Sequence, residues 1–118
     1  MAQLMNRIST HVLDTAQGKP ADEVPVRLER RELAGEWRVL SSTVTDDEGR
    51  CAQLLPEGEA LRAGIYRLTF DTASYHHAQN HEGLYPVIEI TFQVRGGESQ
   101  LHIPLLLSPH GYTTYRGS

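Results

Sequence analysis

Along most of the chain, bulky and polar residues alternate with a period of two. In "PVIEITFQV" (86–94), Ile88, Ile90, Phe92 and Val94 fall on one side and Glu89, Thr91 and Gln93 on the other. That is the pattern of a strand with one buried and one wet face. "GIYRLTF" (64–70) sets Tyr66, Leu68 and Phe70 against Arg67 and Thr69, and "RISTHVLD" (7–14) sets Ile8, Thr10 and Val12 against Ser9, His11 and Leu13. Residues 24–33 and 36–45 read as two more strands, the first studded with charge on one face, and 101–107 and 111–116 as two short ones near the end. Pro104 has no N–H for a ladder, which predicts an edge or bulged position for its strand. One stretch breaks the rhythm. In "FDTASYHHAQN" (70–80), Asp71 or Thr72 can cap a helix, and good or neutral helix formers follow, so a single short helix is predicted near 72–80. Turn residues punctuate the rest at 16–21, 46–49, 56–60 and 95–98. Seven to eight short strands with closely spaced turns predict an all-β sandwich of two antiparallel sheets.

Length and charge narrow the picture. At 118 residues the chain suits one domain, 1–118, with one core. A net charge of −4 with dispersed lysines and arginines gives no basic face for nucleic acid and no patch for an anionic membrane. Cys51 is the only cysteine, so an intrachain disulfide and a cysteine-based metal knuckle are both excluded, and a reducing compartment fits. The start, "MAQLMNRIS", lacks the apolar stretch of a secretory leader, and no segment reaches membrane-spanning length. A soluble, cytoplasmic protein is expected.

The chemistry is harder to see. No nucleophile elbow, phosphate loop, zincin helix or dinucleotide fingerprint is present. What stands out is a scatter of polar residues in unusual places: His11 inside a strand pattern, Arg50 after the turn glycine of "DEGR", His102 at the head of an apolar run, and Tyr115, Arg116 and Ser118 in the tail. Taken singly, each reads as solvated or hydrogen-bonded, and alternation cannot show that they converge. His77 and His81 have the i, i+4 spacing of a metal clamp, with His76 adjoining, but no carboxylate or cysteine completes the set. A solvated helix face is the preferred reading there.

Taken together, several motifs carry a resemblance. "ISTHVLDTAQGKPA", "DEGRC", "YRLTFDTASY", "YPVIEITFQV" and the closing "HIPLLLSPHGYTTYRGS" span the chain nearly end to end. In these the sequence resembles the transthyretin-related family of 5-hydroxyisourate hydrolases. The "YRGS" ending is specific, since it separates those hydrolases from transthyretin proper, which also has a lysine at the position of His11. The resemblance implies a transthyretin-like sandwich and a homotetramer with active sites at the dimer–dimer interface. It implies a purine-derived small-molecule substrate, and neither a cofactor nor a metal. It carries the catalytic set onto His11, Arg50, His102 and Ser118, with Arg50, Tyr115 and Ser118 also contacting substrate. His110 stands where many relatives have an aromatic residue. A transthyretin-like carrier of small ligands without catalysis is the alternative.

Overall fold

The structure, a computed structural model, describes residues 6–118; the first five residues of the "MAQLMNRIS" start lie outside the described residues. Alternation in the sequence becomes alternation of burial. In β1 (Arg7–Asp14), Ile8, Thr10, Val12 and Asp14 are buried while Ser9, His11 and Leu13 are half-buried. The same rule sorts β6 (Gly64–Phe70), whose Tyr66, Leu68 and Phe70 face inward, and β8 (Gln100–Ser108), whose Leu101, Ile103, Leu105 and Leu107 do. These side chains meet Val26 and Leu28 of β3 (Pro25–Arg31) and Ile88 and Val94 of β7 (Ile88–Val94) in one core. Each fully buried aliphatic side chain contributes about 1.5–3 kcal/mol against exposure.

Among the described residues there are two sheets. One has the order β4 (Trp37–Val44), β3, β6, β7; the other runs β2 (Lys19–Pro20), β1, β8, β9 (Gly111–Thr114), with β5 (Arg50–Cys51) also paired to β1. The expected sandwich and short helix are present, with three differences of detail. Nine strands occur rather than seven to eight, because the turn regions before Ala21 and after Gly49 each close a two-residue pairing on β1. The sheets are not wholly antiparallel: β1 and β8 run parallel through eight paired positions, from Arg7↔Gln100 to Asp14↔Leu107. Pro104 is also neither at an edge nor at a bulge, since β8 lies between β1 and β9 and keeps its register with β1 through Pro104↔His11.

The proline is tolerated there because its missing donor falls in a gap. β9 pairs with β8 from Ser108↔Gly111 to Leu105↔Thr114; the next backbone contact is the isolated bridge His102↔Gly117, which keeps the same register. The two positions skipped are Pro104 and Ile103, opposite Tyr115 and Arg116. Thr114 Oγ1 donates instead to the Pro104 carbonyl at 2.7 Å. The tail is therefore a continuation of β9, interrupted where the proline cannot serve it.

The helix α1 (Thr72–Ala78) starts on Asp71, whose carboxylate accepts from the Ser74 N–H at 3.0 Å. Its far end is a Schellman turn. Asn80 sits at φ 60°, its N–H donates to the His77 carbonyl, and the His81 N–H reaches back to the His76 carbonyl. Tyr75 ties the helix to β1 by donating to Asp14 Oδ2 at 2.7 Å. No helix among the described residues is long and apolar enough to cross a membrane.

Candidate active site

Strand pairing decides which polar side chains meet. Ser9 and His11 share the outer face of β1, and the parallel register sets His102 of β8 directly beside Ser9. β5 lies antiparallel on the other edge of β1, with Arg50 opposite His11. That seating requires a glycine at 49. The Gly49 carbonyl accepts from the Val12 N–H at 2.7 Å, and a Cβ at Gly49 would lie 2.3 Å from the Val12 carbonyl oxygen. Asp46 Oδ1 then accepts the Arg50 N–H at 2.9 Å and closes the turn that presents the arginine.

The tail completes the arrangement from the third side. Gly117 donates its N–H to the His102 carbonyl at 2.8 Å, bringing the chain so near that a Cβ there would lie 2.6 Å from His102 Cδ2. Arg116 Nη2 donates to Glu98 Oε1 at 2.6 Å, which latches the tail to the turn after β7. Between these elements opens a cleft of about 490 Å³, lined by Arg7, Ser9, Arg50, His102, Arg116 and Ser118 among others. A volume of that order suits a small molecule. None of the residues lining the cleft is an aspartate or glutamate, and three are arginines.

His102 is half-buried in this setting. Desolvation first, and then the charges of Arg50 and His11, hold its imidazole below the ordinary histidine value. The ring is thus neutral, with a nitrogen free to accept a proton, at neutral pH. Cys51, beside Arg50 but on the buried face, is the opposite case: burial, then Asp46, pushes its thiol up to about 11, so it is no nucleophile at neutral pH.

Of the candidate residues, the structure brings Arg50, His102, Arg116 and Ser118 to one cleft. His11 stands beside them in the sheet but is not among the lining residues; its Nε2 donates to the Glu48 carbonyl at 2.8 Å. A carbonyl only accepts, so the neutral ring carries its proton on Nε2 and leaves Nδ1 bare. Tyr115 is more than half exposed and lines a different hollow, with Ile90, Phe92 and Ile103. Ser9 and Arg7 were not singled out from the sequence. Ser9 shares a face with His11, a legible signal, but its partner His102 is 93 positions away and only the register reveals it.

The helix histidines form no clamp. The helix ends at Ala78, and the Schellman turn swings His81 back over His76, ring centroids 5.2 Å apart, while His77 stays exposed. Among the described residues no three or more His, Cys, Asp or Glu side chains gather in a metal-binding group.

Fold and cleft together define a β-sandwich protein with an imidazole- and arginine-lined site for a small molecule. The chain belongs to the HIUase/Transthyretin family, whose profile matches residues 8–117. It is 42% identical over 119 residues to the 5-hydroxyisourate hydrolase of Mus musculus, covering 100% of both chains. The solved 5-hydroxyisourate hydrolase of Klebsiella pneumoniae superposes with a TM-score of 0.83 at 36% identity, over 97% of this chain and 100% of that one. Transthyretin from Sparus aurata superposes at 0.88 with 31% identity, over 95% and 97%. Backbone shape therefore does not separate the two branches of the family.

Proposed function

We propose that this chain is a 5-hydroxyisourate hydrolase of urate degradation, opening the substrate's lactam ring to 2-oxo-4-hydroxy-4-carboxy-5-ureidoimidazoline. The observation that carries the reading is the cleft itself, where a neutral imidazole faces three arginines with no aspartate or glutamate side chain in the lining. Such a site favours a lactam with carbonyl oxygens to accept from the arginines, and the oxyanion that forms from it. A carrier of apolar ligands gains nothing from it.

In the proposed reaction a water oxygen attacks the lactam carbonyl carbon, and His102 Nε2 takes the water's proton as the C–O bond forms. Arg50 donates to the developing oxyanion, a contribution whose loss costs ~100-fold or more in rate. As the tetrahedral species collapses, the C–N bond breaks and the imidazolium returns its proton to the leaving ring nitrogen, leaving a carboxyl group and an N–H. His11 shares the proton work through its bare Nδ1 while its Nε2 holds the loop that carries Arg50. Ser118 adds a hydroxyl at the cleft, and we assign it with Arg50 to substrate contact. Tyr115 we assign to substrate contact through assembly, since in the single chain it lies outside the cleft.

The reading includes a cytoplasmic homotetramer with its sites at the dimer–dimer interface. Sedimentation equilibrium should give the mass of four chains; a monomer would overturn that part. The activity is tested by following the ultraviolet decay of freshly generated 5-hydroxyisourate. Decay well above the spontaneous rate is expected. A folded protein that leaves the spontaneous rate unchanged would instead favour the ligand-carrying branch.

A further inference from the structure

The His102 ring is gripped on two edges, and each grip comes from a different element. On one edge Ser9 Oγ lies 2.8 Å from Nδ1. On the other, Cδ2 abuts the Gly117 backbone so closely that no side chain fits between them. Nδ1 and Cδ2 are the two ring atoms bonded to Cγ, so a ring held at both presents the opposite Nε2–Cε1 edge outward. Nε2 makes no hydrogen bond among the described residues and is not among their buried, unpartnered atoms. Rotating the ring by half a turn would bring Cδ2 to the serine hydroxyl and forfeit that bond. Only one orientation satisfies both sides.

We infer that Ser9 is a positioning residue for the reaction: its hydroxyl fixes the His102 imidazole with Nε2 toward the cleft, without fixing that ring's charge. The inference rests on the hydrolase reading and deepens it. A hydroxyl can donate to a bare Nδ1 or accept from a protonated one, so it follows the ring through both states of the proton transfer. A carboxylate in the same place would hold the proton and stabilise the imidazolium. The other charged groups around the ring leave that choice to Ser9. The titratable side chains that face this region are Arg7 and His11 of β1, Arg50 of β5 and Arg116 of the tail, and none of these side chains is a carboxylate. A fixed orientation matters because misplacement of a catalytic group by about 1 Å can cost ~100-fold in rate.

The test compares Ser9→Ala, Ser9→Thr and Ser9→Asp in steady-state turnover across pH, with the His102 ring titration followed by nitrogen-15 NMR. On this inference Ser9 acts through the imidazole, so Ser9→Ala should lower kcat by ~10–100-fold with KM nearly unchanged. Ser9→Thr, which keeps the hydroxyl, should restore most of the rate. Ser9→Asp should move the acid limb of the rate profile and the NMR midpoint of His102 upward by about one pH unit. An alanine variant with wild-type kcat, or an aspartate variant whose His102 midpoint does not move, would overturn the inference. The NMR arm needs no substrate. If wild type fails to accelerate decay, the hydrolase reading fails with it, and the midpoint still reports on the Ser9–His102 contact.

Discussion

Gly117 shows how much of the site rests on one missing side chain. A Cβ at this position would press on His102 Cδ2, on the His102 carbonyl and on Pro104 Cγ at once, and all three are backbone or ring atoms rather than the free end of a flexible side chain. Gly117→Ala must therefore push the tail off β8 or turn the imidazole. Turnover should fall by ~10–100-fold while the thermal midpoint stays nearly unchanged, since the tail contributes little to the core. Activity assayed beside a melting curve checks this; an alanine variant with full turnover would show that the close approach has no bearing on His102. At this scale the sequence was informative about residue types and silent about partners. His11, Arg50, His102 and Ser118 could be nominated from their odd placement and from the family resemblance. Arg7 and Ser9 could not, because their part depends on β1 lying parallel to β8, and alternation says which face a residue takes without saying which strand lies alongside.

The helix element carries a pH liability of its own. His76 is 2% exposed, its Nδ1 has no partner, and His81 leans over it. Burial, and then the His81 ring, hold its imidazole below the ordinary value; Asp14 pulls the other way and His110 adds to the lowering. The folded chain thus resists a proton that the unfolded chain accepts near pH 6.5, so stability falls as pH drops through that value. Replacing the titrating ring, as in His76→Gln, should make the loss of melting temperature between pH 7 and 5 shallower than in wild type. Equal slopes would place the acid sensitivity elsewhere. The start of this helix was readable from Asp71, and its end was encoded too, in Asn80, whose short polar side chain tolerates the left-handed backbone. Taking the helix through 80 is what made His77 and His81 look like neighbours. The two-residue strands β2 and β5 were not readable, since two residues carry no periodicity. Pro104 was misread for an instructive reason: the rule against central prolines concerns a donor with a partner to lose, and here the facing chain makes no ladder bond at that step.

On the scale of the whole molecule, two sheets closed over one apolar core supply a rigid platform, and a polar cleft is assembled on the outer face of one of them. Strand β1 supplies Ser9 and Arg7, β5 supplies Arg50, β8 supplies His102, and the tail supplies Gly117 and Ser118. The sandwich was legible in the sequence because burial on one face imposes a period of two wherever it occurs. The shared backbone of the family's hydrolases and transthyretin means that the platform alone does not decide the activity; the side chains set on it do. The central claim is that His102 in this cleft carries the proton chemistry of lactam hydrolysis. The most direct measurement is the decay of freshly generated 5-hydroxyisourate under the His102→Asn variant beside wild type, both verified as folded. The account predicts rapid decay with wild type and a variant slower by ~100-fold or more, near the spontaneous rate. Wild-type decay that survives intact in His102→Asn would contradict it and place the chemistry on another group.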